Sequence, residues 1–356
     1  MKIFLLIILI LMSLYILFYG VYYIFNPSHQ GENILAKLEI PYPSIIAHRG
    51  ASIEAPESTV PAFVRGRNRG ADYLEADLQM TKDGKVIVFH DRDLTRTSNV
   101  RQVFPERDSY EVKDFTYREL KQLDFGSWFN EAFPRRARSE YEGLEIVTLE
   151  ELLNIAERGQ NNPGLILEFK HPYLYPGIEE KVQEILADKG WLEGPPEIED
   201  TDSGDVNVNQ SASRLIFMSF DLQSMEKLGE LFADFPTILL ITDNMITRSN
   251  WGRWLDRAEG VVDGIGAKGF MTWPWHIAAA HDRNLFVFPY TINELWQAKI
   301  LSRFRADGFI TDRPEFVVDF LERTISVVAF DYDENEDEDK NEDENENEDE
   351  DENIKE

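Results

Sequence analysis

The chain of 356 residues contains no cysteine. Disulfides, thiolate nucleophiles and cysteine-ligated zinc are excluded together. Basic side chains are scarce: 36 Lys and Arg stand against 66 Asp and Glu, for a net charge of −30. No basic tract offers the electrostatic footprint that nucleic acid requires, so no nucleic-acid partner is expected. The deficit is uneven. Residues 331–356 carry 17 acidic and 2 basic side chains, a balance of −15 and half of the total. Such a segment has too little apolar surface to offset chain entropy, and the tail 326–356 is expected to be disordered. Its carboxylates could bind Ca²⁺ weakly; keeping the protein soluble is the simpler use. A repeat of solenoid spacing is also missing.

From Ile3 to Phe25 the sequence is apolar or aromatic apart from Ser13 and Gly20. About 20 such residues cross a bilayer as a helix. Tyr22 and Tyr23 suit the membrane interface. The stretch outruns the ~7–15 residues of a signal-peptide core, and no A-x-A cleavage site follows. Residues 1–25 therefore read as an uncleaved single-pass anchor. A weak positive bias from Lys2 and the amino terminus puts the body on the extracytoplasmic side. Residues 26–43, ending in Pro41 and Pro43, read as a linker.

Beyond it, in 44–325, strand-like and helix-like segments alternate. Strands are expected at 44–48, 72–77, 86–90, 164–169, 214–219, 236–241, 285–290 and 308–311, with 261–266 as a further candidate. Helical patterns separate most of them, which argues for a parallel sheet covered by helices. Eight units suit a closed (β/α)₈ TIM barrel, although an open doubly wound sheet has the same local pattern. Two stretches depart from the rhythm. Residues 97–147 form a long insertion, and residues 191–213 read as a surface loop carrying one glycosylation-type triplet, Asn209-Gln210-Ser211.

Four short apolar runs end in reactive side chains. They are Ser44–Gly50, Tyr73–Asp77, Val86–Asp91 and Leu165–Lys170. Glu75 and Asp77 are two apart on a strand and share one face. Two carboxylates side by side repel unless a cation joins them. They read as ligands of a hard divalent ion, with Glu168 as a third; a solvated strand face is the plainer alternative. An all-oxygen set favours Mg²⁺ or Ca²⁺. His48 and His90 end the first and third expected strands, on either side of the carboxylates if the strands follow in order. One imidazole can take a proton while the other gives one. Arg49 and Lys170 could hold phosphate oxygens, though Arg49 could instead pair with Glu57 or Asp91. Glu57 and Asp91 are supporting candidates. Ser219, Phe220 and Tyr290 end later strands and could line a substrate pocket. Trp128, Phe129, Phe133, Trp251, Trp254, Trp273 and Trp275 could form an apolar rim, or could be packing.

The order and wording of these segments resemble the glycerophosphodiester phosphodiesterase family. The similarity runs from about Ile45 to Phe316 and includes Leu94–Thr97, Leu123–Phe129, Val147–Glu151 and Asp307–Pro314. It implies a closed TIM barrel and metal-dependent cleavage of glycerol phosphodiesters to an alcohol and glycerol 3-phosphate. It also implies that His48 and His90 are the acid/base pair, that Glu75, Asp77 and Glu168 are the ligands, and that Arg49 and Lys170 hold phosphate. Ser58 stands where the family usually has Asn, Val147 where Pro is common, and Tyr290 where Trp is frequent. Three other readings stay open: a membrane-anchored lysophospholipase D, a lyase stopping at a cyclic phosphate, and an inactive, membrane-tethered binding barrel.

Overall fold

The computed structural model describes residues 2–159, 161–193, 214–242, 245 and 251–323. The acidic tail and the triplet at 209–211 lie outside the described residues.

Ten strands are present: β1 Ser44–His48, β2 Tyr73–Met80, β3 Val86–Val88, β4 Val147–Thr148, β5 Gly164–Phe169, β6 Leu215–Ser219, β7 Thr237–Ile241, β8 Gly264–Lys268, β9 Phe286–Tyr290 and β10 Gly308–Thr311. Eight are parallel and run in the order β10-β1-β2-β5-β6-β7-β8-β9. The ring closes between β9 and β10, where Asp307 N–H donates to Val287 O at 3.1 Å and Ile292 N–H to Ile310 O at 2.9 Å. This is a TIM-barrel-like α/β fold.

Alternation along each strand sorts the core into two shells. Ile45, Ala47, Leu74, Ala76, Leu165 and Leu167 face outward and pack under the surrounding helices. Ile46, Tyr73, Ile166, Ile216, Ile238, Leu240, Phe286, Phe288 and Ile310 fill the barrel interior. Gly264 makes room there: a Cβ would sit 2.4 Å from the Phe286 ring.

Two expectations change. The segment at 86–90 is not a barrel strand. β3 pairs antiparallel with β2, matching Leu78 to Val88, and carries β4 on its other side. The place in the barrel goes to β8, Gly264–Lys268, which overlaps the further candidate 261–266 only at residues 264–266. The stretch read as a linker also holds a helix, Gln30–Lys37. Its Ile34 and Leu35, with Ile40, join the interior cluster and plug the closed end of the barrel.

Candidate active site

Chain direction puts the C-terminal ends of all eight barrel strands at one mouth. β1 delivers His48. The next residue, Arg49, takes a left-handed φ of 56°, and its N–H turns back on β2 to meet Glu75 Oε2 at 2.9 Å. The Arg49 guanidinium lies 3.1 Å from Asp77 Oδ2 and donates to Glu57 Oε1 at 2.9 Å. Gly50 follows at φ 83°, where a Cβ would stand 2.4 Å from the Ala62 carbonyl carbon; only glycine admits helix Val60–Asn68 this close.

β2 and β5 bring the acids together. Asp77 pairs in register with Glu168. Oxygens of Glu75, Asp77 and Glu168 lie within 4.8 Å of one another, and all three residues are buried. Lys170 Nζ is 2.8 Å from Glu168 Oε1 and 3.4 Å from Asp77 Oδ1. These contacts supply charge without hydrogen-bond alignment. Glu75 Oε1, both Asp77 oxygens and Glu168 Oε1 have no aligned donor among the described residues. Burial, then the charges of Asp77 and Glu168, raises Glu75 well above the usual carboxylate range. Burial also raises Glu168, against the pull of Lys170. Burial opposes ionisation of Asp77 too, but Lys170 and Arg49 outweigh it and hold Asp77 low. Buried, crowded and unsaturated oxygens are the donor set of a hard divalent cation, and such an ion would let all three acids stay ionised. The residues present therefore fit Mg²⁺ or Ca²⁺.

His90 arrives by a route the strand count did not foresee. The β2–β3 hairpin folds back, and Phe89 N–H donates to Asp77 O at 2.8 Å. That bond sets His90 beside the carboxylates. Each imidazole is tied through Nδ1 to an acid: His48 to Asp312 Oδ1 and His90 to Asp91 Oδ1, both at 2.6 Å. Nδ1 of each ring is thereby occupied, and Nε2 is the ring nitrogen turned away from these acids. Arg96 bridges Asp91 and Glu57, with Nη1 donating to Glu57 Oε2 at 2.8 Å. Burial raises Asp312, yet the hydrogen bond and charge of His48, with Asn293 and Ser52, bring it down to about 2. Burial opposes ionisation of Asp91 as well, but His90 and Arg96 hold it far below the usual range.

Both histidines, Arg49, Glu75, Glu168 and Lys170 line a pit of about 150 Å³. It opens into a cleft of about 820 Å³ lined in part by Tyr173, Ser219, Phe220 and Tyr290. Ser219 Oγ donates to Phe169 O at 3.0 Å, and Tyr290 Oη to Ile241 O at 3.0 Å. Both residues shape the wall, but their hydroxyl protons are committed to backbone. Of the seven aromatics considered for a rim, Phe129 and Trp251 are buried, and only Phe133 and Trp273 are exposed. The sequence reading did not assign Asp312, Asn293, Arg96 or Gln79. Asp312 follows the end of β10 and could have been found by the strand-end rule that found His48. For Arg96 the only signal was its place in Leu94–Thr97.

Residues 48–316 match the profile of the Glycerophosphoryl diester phosphodiesterase family. The chain belongs to that family. A glycerophosphodiester phosphodiesterase of Bacillus subtilis (strain 168) is 33% identical over 270 residues, which are 76% of this chain and 83% of that protein. One from Bacillus altitudinis is 30% identical over 279 residues, 78% of this chain and 98% of the other. Among solved structures, an Oleispira antarctica phosphodiesterase in complex with the product sn-glycerol-3-phosphate superposes with a TM-score of 0.60 at 23% identity, covering 79% of this chain and 97% of that one. At that identity it supports the fold alone.

Proposed function

We propose that the pit hydrolyses glycerophosphodiesters, releasing an alcohol and glycerol 3-phosphate. The observation that carries this reading is the carboxylate trio flanked by two imidazoles, each backed by its own acid. Arg49 and Lys170 supply the positive charge that a phosphodiester gains from as its P–O bond breaks. Glu75, Asp77 and Glu168 would hold the divalent cation, which when bound polarises a phosphoryl oxygen. His48 and His90 divide the proton transfers. One Nε2 takes the proton from the attacking hydroxyl, and the other protonates the departing alcohol. Asp312 and Asp91 keep the Nδ1 protons in place, so each ring offers the correct nitrogen. Attack by the neighbouring glycerol hydroxyl would give a cyclic phosphate that water then opens. Phosphorus NMR distinguishes that route from direct attack by water, and from a lyase that stops at the cycle.

General acid–base groups contribute on the order of 10²–10⁴-fold. His48→Ala and His90→Ala should each lower glycerophosphocholine turnover by at least the smaller factor. Near-wild-type turnover in either variant refutes the assignment. A substrate panel run with Mg²⁺, with Ca²⁺ and with neither identifies the ion; chelation without effect on activity or ligand affinity would favour the binding-barrel reading.

The helix Lys2–Phe25 contains a 20-residue segment, Phe4–Tyr23, long and apolar enough to cross a membrane, with none of it buried. A signal sequence passes the same test. We read it as a retained single-pass anchor, with the barrel on the extracytoplasmic side. Sequencing the amino terminus of membrane-extracted protein tests this: a start beyond residue 25 overturns it.

A further inference from the structure

We propose that the barrel mouth lies against the bilayer that holds the anchor, and that its substrates include diesters whose acyl chain remains in that bilayer. This rests on the phosphodiesterase reading of the pit and on retention of the span.

The direction of the span is the first observation. The chain just after it is pinned to the closed end of the barrel. Ser28 Oγ lies 2.7 Å from His281 Nδ1, and His281 Nε2 lies 2.8 Å from Asp307 Oδ2 at the start of β10. His281 ends helix Pro274–His281, which descends from the mouth-side loop after β8. The span packs along this same helix. At Gly20 it reaches Trp275, one residue from the helix's mouth end; a Cβ on Gly20 would lie 3.8 Å from that ring. The span therefore enters from the mouth side. From Gly20 back to Phe4 it extends ~24 Å at 1.5 Å per residue, most of a ~30 Å hydrocarbon core. Its bilayer lies on the side where the pit opens.

The second observation is the position of exposed apolar side chains. Outside the span, eight large ones are exposed among the described residues. Six of them, Tyr173, Phe220, Phe270, Trp273, Leu295 and Trp296, occupy loops that follow barrel strands or the first turn of the next helix. All six are therefore at the mouth. Phe270 is 67% exposed and Trp296 61%. Trp273 stacks on Trp275 at 5.2 Å beside the span, so the apolar rim is continuous with the tyrosine-rich end of the anchor. Amphipathic rings at such a level form the interfacial belt of membrane proteins. Tyr173 and Phe220 continue the rim into the cleft, and Phe220 lies under Lys170 Nζ at 5.6 Å. A headgroup can thus reach the pit while its chain stays among lipids. A fully water-soluble diester would need no such rim.

The test uses the full chain in phosphatidylcholine vesicles, wild type and Phe270→Ser/Trp296→Ser. Neither residue lines the pit or the cleft. We expect wild type to turn over both glycerophosphocholine and lysophosphatidylcholine. The double variant should keep its glycerophosphocholine rate and lose about tenfold on lysophosphatidylcholine, as expected when two interfacial anchors are removed. Quenching of tryptophan fluorescence by lipids brominated near the carbonyl should also fall. Wild type inactive on both diesters sinks the phosphodiesterase reading and this inference with it. Wild type active on glycerophosphocholine alone, or a variant unchanged in both rate and quenching, overturns this inference only. A dimer that the double variant splits assigns the patch to a second copy, and overturns it as well.

Discussion

Replacing Asp312 by Asn keeps the size of the side chain and removes its charge. In the wild type every neighbour donates to this carboxylate. Oδ1 receives His48 Nδ1 at 2.6 Å and Ser52 Oγ at 3.0 Å, and Oδ2 receives Asn293 Nδ2 at 2.6 Å. An amide NH₂ in either position must face a donor. Facing Asn293, it breaks that bond; facing His48, it forces the proton onto Nε2, the nitrogen that the proposed acid/base role needs free to exchange. Loss of a charge-assisted bond costs about 1.5–3 kcal/mol. Linkage gives an independent figure. Asp312 sits at about 2. Against an unfolded value of about 3.9, at ~1.4 kcal/mol per unit, that is roughly 2–3 kcal/mol. The two routes agree. The folded-state value is depressed, so this stability is present above pH ~4 and is lost as pH falls towards 2. Urea unfolding should show a gap between wild type and Asp312→Asn of about 2–3 kcal/mol at pH 7 that narrows steadily on acidification. Steady-state choline release from glycerophosphocholine should show kcat reduced by about 10²–10⁴ with KM little changed, because Asp312 acts through His48. A kcat within about threefold of wild type, or a stability gap that ignores pH, refutes the reasoning.

Other outcomes follow from the same geometry. Saturating Mg²⁺ or Ca²⁺ at about 100 times its Kd should stabilise the fold by about 2.7 kcal/mol, and Glu168→Gln should largely abolish that rise in calorimetry; an unchanged Tm in wild type denies the cation site. Gln79 Nε2 donates to Phe89 O at 2.6 Å and Asp91 O at 2.8 Å, holding both carbonyls that flank His90. Gln79→Met should therefore cost about 2–4 kcal/mol and lower kcat more than KM, whereas a purely structural role would leave kcat per folded molecule intact. At Gly31 a Cβ would lie 1.7 Å from Asp307 Oδ1. Gly31→Ala gains up to ~1 kcal/mol of helix propensity but should lose about 1–3 from overpacking, so a Tm above wild type would show that the plug can shift.

Strands with branched apolar runs were legible from local pattern alone, as in Ser44–His48 and Gly164–Phe169. β8, Gly-Ile-Gly-Ala-Lys, was weaker because two of its interior positions are glycine. The reason is non-local: a Cβ at Gly266 would meet Leu240 at 2.4 Å, so the strand yields its own side-chain volume to neighbouring strands. The metal-type acids were legible because Glu75 and Asp77 share a strand face by alternation. Asp312 follows a strand run and is open to the strand-end rule, but its pairing with His48 was not legible, because the two lie 264 residues apart and only barrel closure joins them. The Val147–Glu151 block has a local meaning that pattern reading could reach. Thr148 and Glu151 form a reciprocal capping box that starts helix Leu149–Glu157.

The third expected strand shows how much a length argument can add. Val86–Phe89 has the same apolar character as a barrel strand, so composition cannot separate the two. The connection can. Only Thr81–Lys85, five residues, lie between β2 and β3. A parallel crossover with its helix needs at least about 10–12 residues, whereas a hairpin needs two to five. The sequence thus forbids a parallel neighbour and requires a reversal, which Gly84 at φ 84° and the Thr81 N–H to Lys85 O bond at 2.9 Å complete. That reversal has a chemical consequence. A parallel strand placed next to β2 would displace β5, and with it Glu168, from contact with Asp77. Folding back instead leaves β5 against the lower part of β2 and hangs His90 over its end. One short turn therefore lets both histidines line one pit with Glu75 and Glu168, beside the buried Asp77.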